Sequence, residues 1–253
     1  MEAKELQLME FPNCRAISEE LLDFYKEMIP KEEIETTLAS NDIVEAMVAL
    51  FNEKLPLLSK REGVQSETIY FQRFEALLRG HWDKVHSASK YVDIGCGTGF
   101  KASFLAKWGK LESVNIYGVD LIKSPNFIED ANFLLTDGKT IPIDNGTVDM
   151  VSFFHVLHHL EDREAIMNEL KRITRKGSLL VVQDHDTVPE ALEKITFTHY
   201  IFERVEQQVA VLRLETRQFW RELLAANGFK LISSTDTLNN IHRSYIDVFE
   251  REN

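Results

Sequence analysis

The sequence predicts a doubly wound α/β fold: a mostly parallel sheet with helices on both faces, carrying a helical cap before it. Three observations predict it. From residue 91 onward short apolar runs alternate with helical segments, the texture of strands buried on both faces and joined by crossover helices. The first of those runs passes into "VDIGCGTGF", Val92 to Phe100, which sets three glycines at alternate positions directly before a helical segment. Ahead of this, residues 1 to 90 read as helical and acidic. The expected division is a cap over 1–88 and a core over 89–253.

The elements follow in order. "ISEELLDFYKEMIP", "NDIVEAMVALFNEKLP" and "SETIYFQRFEALLRGHW" each space apolar residues three or four apart, as amphipathic helices do. Ser18, Asn41 or Asp42, and Ser66 are the expected N-caps, with Pro30 and Pro56 closing the first two helices. "YVDIG" is the first strand, "GFKASFLAKWG" a helix, and "SVNIYGVDL" the second strand. A polar turn at Ser124 and Pro125 leads to "NFLLTD", then to "VDMVSFF", the helix "REAIMNELKRIT", a turn "RKG" and the strand "SLLVVQD". A long helix is expected from Pro189 to about Leu214, then "TRQFWRELLAANGF" with Thr216 as N-cap and Gly228 as its stop. "FKLISSTD" and "SYIDVFERE" are near enough in sequence to pair antiparallel, completing seven strands of which the last is antiparallel.

Composition narrows the function classes. At 253 residues, 44% hydrophobic and 28% charged, the chain buries roughly 70–75% of its unfolded surface and needs no disulfide or metal staple. Cys14 and Cys96 lie far apart without C-x-x-C spacing, which suits a reducing compartment. A formal charge of -12 argues against a broad grip on nucleic acid, where a basic face is the usual footprint; a local basic pocket stays open. No run approaches 18 apolar residues, and "MEAKELQLMEF" is too acidic for a leader. The expected location is the cytoplasm, with no membrane partner.

A strand ending in a glycine-rich turn that opens a helix is where backbone amides approach a ligand closely. The dinucleotide fingerprint is G-x-G-x-x-G; Gly95, Gly97 and Gly99 make G-x-G-x-G instead. Asp93 stands two residues before the first glycine, where a carboxylate repels a pyrophosphate and attracts an ammonium group. The ligand indicated is a nucleoside bearing a positive charge.

"VDIGCGTG", followed by "YGVDL", "LLTDGKTIPIDNGTVDMVSFFHVLHHLED", "NELKRITRKGSLLVVQD" and "FWRELLAANGF", resembles the class I S-adenosylmethionine-dependent methyltransferases with their Rossmann-like fold. Within them it is similar to the subgroup showing an "LPF...SFD...vlHHl" pattern. The resemblance is close over residues 88–186 and loose over 216–250. It implies S-adenosylmethionine as cofactor, with Gly95, Gly97 and Gly99 as a floor under the methionine portion and Asp93 near its amino group. Asp120 would accept from both ribose hydroxyls, Leu121 would lie against adenine, and Asp137 would accept from the adenine amino group, with Gly138 letting that loop approach. Phe154 and His155 would line the methyl-transfer position.

Beyond these, Tyr70, Phe71 and Arg73 in the last cap helix are candidates to close over the cofactor, Arg73 on the methionine carboxylate. His155, His158 and His159 fall within five residues. H-x-x-H invites a metal, but without a nearby glutamate the run reads as a structural signature, and no metal is expected. "QDHD" puts His185 between two carboxylates at the carboxyl edge of a strand, where its charged form is favoured. His185 is the first catalytic candidate and His155 the second. His199, Tyr200 and Phe202 in "ITFTHYIFERV" read mainly as core. A small-molecule acceptor is favoured over RNA. The rival readings are an NAD-linked oxidoreductase and a non-catalytic cofactor-binding or partner subunit.

Overall fold

A computed structural model describes residues 11–54, 76–111, 115–206, 211–237 and 243–252. Seven strands form one sheet in the order β3-β2-β1-β4-β5-β7-β6: β1 Tyr91–Ile94, β2 Ile116–Asp120, β3 Asn132–Leu135, β4 Val148–Phe154, β5 Thr174–His185, β6 Phe229–Asp236 and β7 Ser244–Arg251. Pairing is parallel from β3 through β5. β7 runs antiparallel to both β5 and β6, so it is the one reversed strand, as the sequence predicts. The order reverses between β1 and β4, which opens a crevice at the carboxyl ends of the strands.

Side chains alternate between the two faces. On one face Val92, Ile94, Val151, Phe153, Leu180 and Val182 pack under α6 (Arg163–Ile173) and α8 (Arg217–Ala226). On the other, Tyr91, Met150, Leu179, Val181 and Val248 pack against α4 (Trp82–His86) and α5 (Phe100–Gly109). The helix ends follow local chemistry. The Asp162 side chain accepts from Ala165 N at the start of α6, and Thr216 accepts from Phe219 N at the start of α8, each cap contributing about 1 kcal/mol. Past α8, Gly228 takes φ 83° and returns the chain to the sheet. Asp247 of β7 is fully buried, yet Arg217 Nη2 (2.6 Å) and Arg221 Nε (2.8 Å) close on it. Burial opposes its ionisation, but the two guanidinium groups hold its carboxyl below the usual range.

Before the sheet come α1 (Cys14–Phe24), α2 (Lys31–Ala39) and α3, a helix covering 43–54. Among the described residues, their apolar faces pack on Phe197, Ile201 and Val205 of α7 (Pro189–Glu206). Asn13 Nδ2 to Glu193 (2.7 Å), Lys194 to Glu20 (2.5 Å) and Arg204 to Glu45 (2.6 Å) fix the rim of that contact. Among the described residues no helix is long and apolar enough to cross a membrane.

Several sequence expectations are corrected. Ser18 lies buried inside α1, whose N-cap is Asn13. Pro30 is the N-cap of α2, a helix the periodicity did not mark: Lys31–Ala39 has a weak apolar stripe and buries only Thr37. Asp42 does cap, accepting from Glu45 N. "RKG" is a bulge inside β5, where Thr174 pairs with Val148 and Leu179 with Met150, and Gly177 takes φ 85°. The long helix stops short of Leu214, since residues 211–216 are not helical. Ser66 and Pro56 lie outside the described residues.

Candidate functional site

β1 delivers the chain to the crevice, and three glycines with positive φ carry it round into α5. They do different work. A Cβ at Gly95 would meet Val156 Cγ2 at 2.4 Å, and one at Gly99 would meet the Phe127 ring at 2.8 Å. A Cβ at Gly97 would meet nothing within 4 Å. Two of the glycines therefore admit protein neighbours, and Gly97 alone of the three faces open space.

The turn is held from β2. Asp120 Oδ2 accepts from Gly97 N at 2.8 Å, and its Oδ1 accepts from Leu121 N at 2.7 Å. Each carboxylate oxygen can accept more than one hydrogen bond, so Asp120 anchors the turn while keeping capacity for hydroxyl donors. Beside it Leu121 (58%), Ile122 (73%) and Leu135 (64%) are exposed, an apolar shelf at the carboxyl ends of β2 and β3. A Cβ on Gly138, at φ 81°, would come within 3.3 Å of Leu121 Cδ2, so this loop lies along the shelf. Asp137 is exposed and its Oδ1 accepts from Lys139 N and Thr140 N. The Thr140 and Lys139 amides lower its carboxyl pKa, so this carboxylate first serves its own turn.

Asp93 sits beneath the glycine turn, 2% exposed. Tyr91 Oη donates to Ser152 Oγ (2.6 Å), which donates to Asp93 Oδ1 (2.5 Å). Burial raises the Asp93 carboxyl to about 7, opposed by the Ser152 hydrogen bond and the Lys101 charge. Near neutrality it is therefore poised to take or release a proton, and a cation arriving nearby would favour its ionised form.

Five histidines gather past the ends of β4 and β5. Phe154 ends β4, and His155 follows with φ 61°, an uncommon backbone for a non-glycine residue. That reversal carries Val156 over Gly95. His155 Nε2 accepts from the Gln183 amide at 3.0 Å. The ring of His155 lies 4.7 Å from that of His185, which in turn is 4.9 Å from His158 and 5.4 Å from His199. His159 donates from Nδ1 to Val211 O. Burial, and then the His158 charge, lower the His159 pKa to about 4.

His185 lies at the carboxyl edge of the sheet. It is the last residue of β5 and 6% exposed, and its flanking carboxylates serve other groups. Asp184 Oδ1 accepts from His158 Nδ1 (2.5 Å) and His185 N (2.7 Å), and Oδ2 accepts from Leu157 N (2.8 Å). Asp186 Oδ1 accepts from Arg217 N. Asp184 thus stays close to the His185 ring, with a carboxylate oxygen within 4.8 Å of a ring nitrogen, but its hydrogen bonds go to His158 and to backbone amides. Burial opposes ionisation of Asp184, but the charge and hydrogen bond of His158 outweigh it and hold the carboxyl low. The His158–Asp184 pair was missed in the sequence; only an acidic residue at a strand end and a histidine 26 positions earlier signal it.

Tyr200 packs with the cap helices and the Phe202 ring lies 5.5 Å from that of Phe51, both half-buried, whereas His199 joins the histidines. Tyr70, Phe71 and Arg73 lie outside the described residues. A depression of about 880 Å³ is lined by Lys139, Arg163, Leu192 and Arg213 among others. No glycine-turn residue lines it, so it is separate from the crevice.

Comparison with known proteins bears on this geometry. The profile of the family described as "Methyltransferase domain" matches residues 56–234. The chain is 27% identical over 174 residues to the O-methyltransferase resE of Aspergillus sclerotiorum, covering 61% of this chain and 60% of that protein. It is 26% identical over 176 residues to the sarcosine/dimethylglycine N-methyltransferase of Halorhodospira halochloris, covering 62% and 57% respectively. It thus spans about three fifths of the length of these curated relatives. The solved 1,6-didemethyltoxoflavin-N1-methyltransferase of Burkholderia thailandensis superposes with a TM-score of 0.53 over 89% of this chain and 92% of that one, at 14% identity, which speaks to fold alone. With the sheet order, the crevice and a profile match over most of its length, the chain belongs to the methyltransferase domain family.

Proposed function

We propose that the protein binds S-adenosylmethionine at the carboxyl ends of β1, β2 and β3 and transfers its methyl group to a small-molecule acceptor. The observation that carries this reading is the open space above Gly97 together with Asp120, which holds the Gly97 amide and keeps lone pairs for donors. In this reading Gly95 and Gly99 shape the turn, Gly97 faces the methionine portion, and Asp93 balances its ammonium group. Asp120 accepts from the ribose hydroxyls, Leu121 and its apolar neighbours flank adenine, and Asp137 and Gly138 close its outer edge. Phe154, His155 and His185 border the position of methyl transfer. The core is 89–253, the cap is 1–88, and "IPIDNGTVDMVSFFHVLHHL" belongs to the "LPF...SFD...vlHHl" subgroup.

Methyl transfer from a sulfonium is an in-line displacement that removes the positive charge from sulfur. Holding donor and acceptor in near-attack geometry supplies about 7–11 kcal/mol, and a general base adds roughly 10²–10⁴-fold when the acceptor must lose a proton. A net charge of -12 and a relative named for small amines favour a small acceptor over RNA. Isothermal titration with S-adenosylmethionine and S-adenosylhomocysteine tests the donor half: binding of both is expected, and binding of neither rejects it. Transfer of labelled methyl into fractionated small metabolites, against total RNA, tests the acceptor half.

A further inference from the structure

We propose that His158, His185 and His199 form a binding site for a divalent transition metal of the zinc class, oriented from outside by Asp184, Ser244 and the Ile195 carbonyl. One nitrogen from each of the three rings lies within 4.8 Å of the others. They come from three elements: the 3₁₀ turn Leu157–His159, the end of β5, and the middle of α7. The fold thus supplies the ligands that H-x-x-H lacks in sequence.

Hydrogen-bond chemistry fixes which way the rings present themselves. His158 Nδ1 lies 2.5 Å from Asp184 Oδ1, and His199 Nδ1 lies 2.8 Å from Ile195 O. An ionised carboxylate and a carbonyl only accept, so both Nδ1 atoms carry hydrogen, and a proton on one Nε2 or a metal ion must stand between the two Nε2 atoms. Those two nitrogens face each other at 3.0 Å. Two acceptors at that distance repel unless a cation stands between them, either a proton or a metal ion. The third ring decides between these. His185 Nδ1 has Ser244 Oγ at 3.3 Å, so each of the three imidazoles has an oxygen partner at Nδ1. Ligating histidines characteristically hold such a partner with the nitrogen that does not bind the metal. A shared proton needs two rings; three rings so oriented match a metal.

The distances are close to those required. Zinc–nitrogen bonds of about 2.05 Å at tetrahedral angles put ligand nitrogens about 3.3 Å apart, so closing the set moves a nitrogen by at most about 1.5 Å. The other cluster of ligand-type atoms, His155, Asp184 and His185, is less apt, because both Asp184 oxygens already accept hydrogen bonds from the chain. Imidazole ligands suit zinc, copper, iron and nickel, and three protein ligands leave a tetrahedral ion a fourth position. The assignment makes His185 a ligand rather than a proton acceptor.

The test uses the full-length protein and does not depend on the methyl-donor reading, since no S-adenosylmethionine is added. Protein stripped with a chelator is titrated with Co²⁺ and then Zn²⁺. Visible absorption of four-coordinate Co²⁺ at one equivalent, displaced by Zn²⁺, is expected, with a rise in Tm. His199→Ala should abolish the cobalt spectrum, and Asp184→Asn should weaken affinity by roughly 10- to 100-fold, with circular dichroism reporting the fold of each. A wild-type protein that gives no cobalt spectrum and no rise in Tm overturns the proposal whatever the variants do. So does a spectrum undiminished in folded His199→Ala.

Discussion

Replacing Gly95 and Gly97 singly by alanine separates the two kinds of glycine in the turn. Both have positive φ, 68° and 52°, and a left-handed backbone costs an L-residue about 1–2 kcal/mol. That cost applies to both. At Gly95 the new methyl also meets Val156 Cγ2 at 2.4 Å and Cγ1 at 2.7 Å, and forcing a methyl into packed neighbours costs about 1–3 kcal/mol. Gly95→Ala should therefore lose about 2–5 kcal/mol, and Gly97→Ala only about 1–2 kcal/mol. Adding Val156→Ala to Gly95→Ala removes both clashing methyls and should return part of the loss. Ligand binding should order the other way. Gly97→Ala, the milder in urea denaturation, should show the greater loss of S-adenosylhomocysteine affinity by calorimetry, because its methyl enters the proposed cofactor space. A folded Gly97→Ala protein that binds like wild type would refute the placement. Equal stabilities of the two single variants would refute the role given to Val156.

Three further outcomes are expected. Asp120→Ala removes the anchor of the Gly97 amide and the proposed ribose acceptor; with hydrogen bonds to a charged group contributing about 1.5–3 kcal/mol each, S-adenosylhomocysteine affinity should fall at least about tenfold by calorimetry. Asp93 has a folded pKa of about 7, above its ordinary 3.8, so the folded state holds a proton that the unfolded state releases between those values. Its contribution to stability is greatest below the lower value and declines as pH rises to about 7; Asp93→Asn should flatten this part of the stability–pH curve, and an ammonium-bearing ligand should release a proton on binding near neutral pH, measurable by calorimetry in buffers of different ionisation enthalpy. Asp247→Ala leaves Arg217 and Arg221 without their shared carboxylate and should cost about 3–5 kcal/mol in denaturant unfolding. The depressed pKa of Asp247 makes its contribution present above its ordinary value and lost as pH falls through the lowered one.

What was legible in the sequence was what periodicity and local chemistry control. β4 and α8 stand where an apolar run and a cap put them, because the apolar residues of β4 and the Thr216 hydroxyl act within a few residues. The reversed β7 was legible because β6 and β7 are adjacent in sequence. α2 was not, since Lys31–Ala39 buries too little to leave a periodic stripe. At the site, Gly97 and Asp120 were legible as a pair because a strand–turn–helix–strand unit fixes their separation. The different demands on Gly95 and Gly97 were not, since Val156 reaches Gly95 from another strand's end. The carboxylates beside His185 were legible, but their hydrogen-bond partners His158 and Arg217 were not. His158, His185 and His199 come together only through three long-range packings, and none of these leaves a trace in the spacing.

α7 gives these observations one more consequence. Its Phe197, Ile201 and Val205 seat the N-terminal helices, and the same rigid rod carries His199 to His158. A helix turns 3.6 residues in 5.4 Å, so a residue exchanged in the cap that rotates or slides α7 also re-aims His199. The cap and the histidine cluster are thus not free to diverge separately. Among descendants of this chain, substitutions at Leu21, Met47 or Phe51 should co-vary with those on α7, and a cap grafted from a distant relative should disturb the histidines before it disturbs the glycine turn.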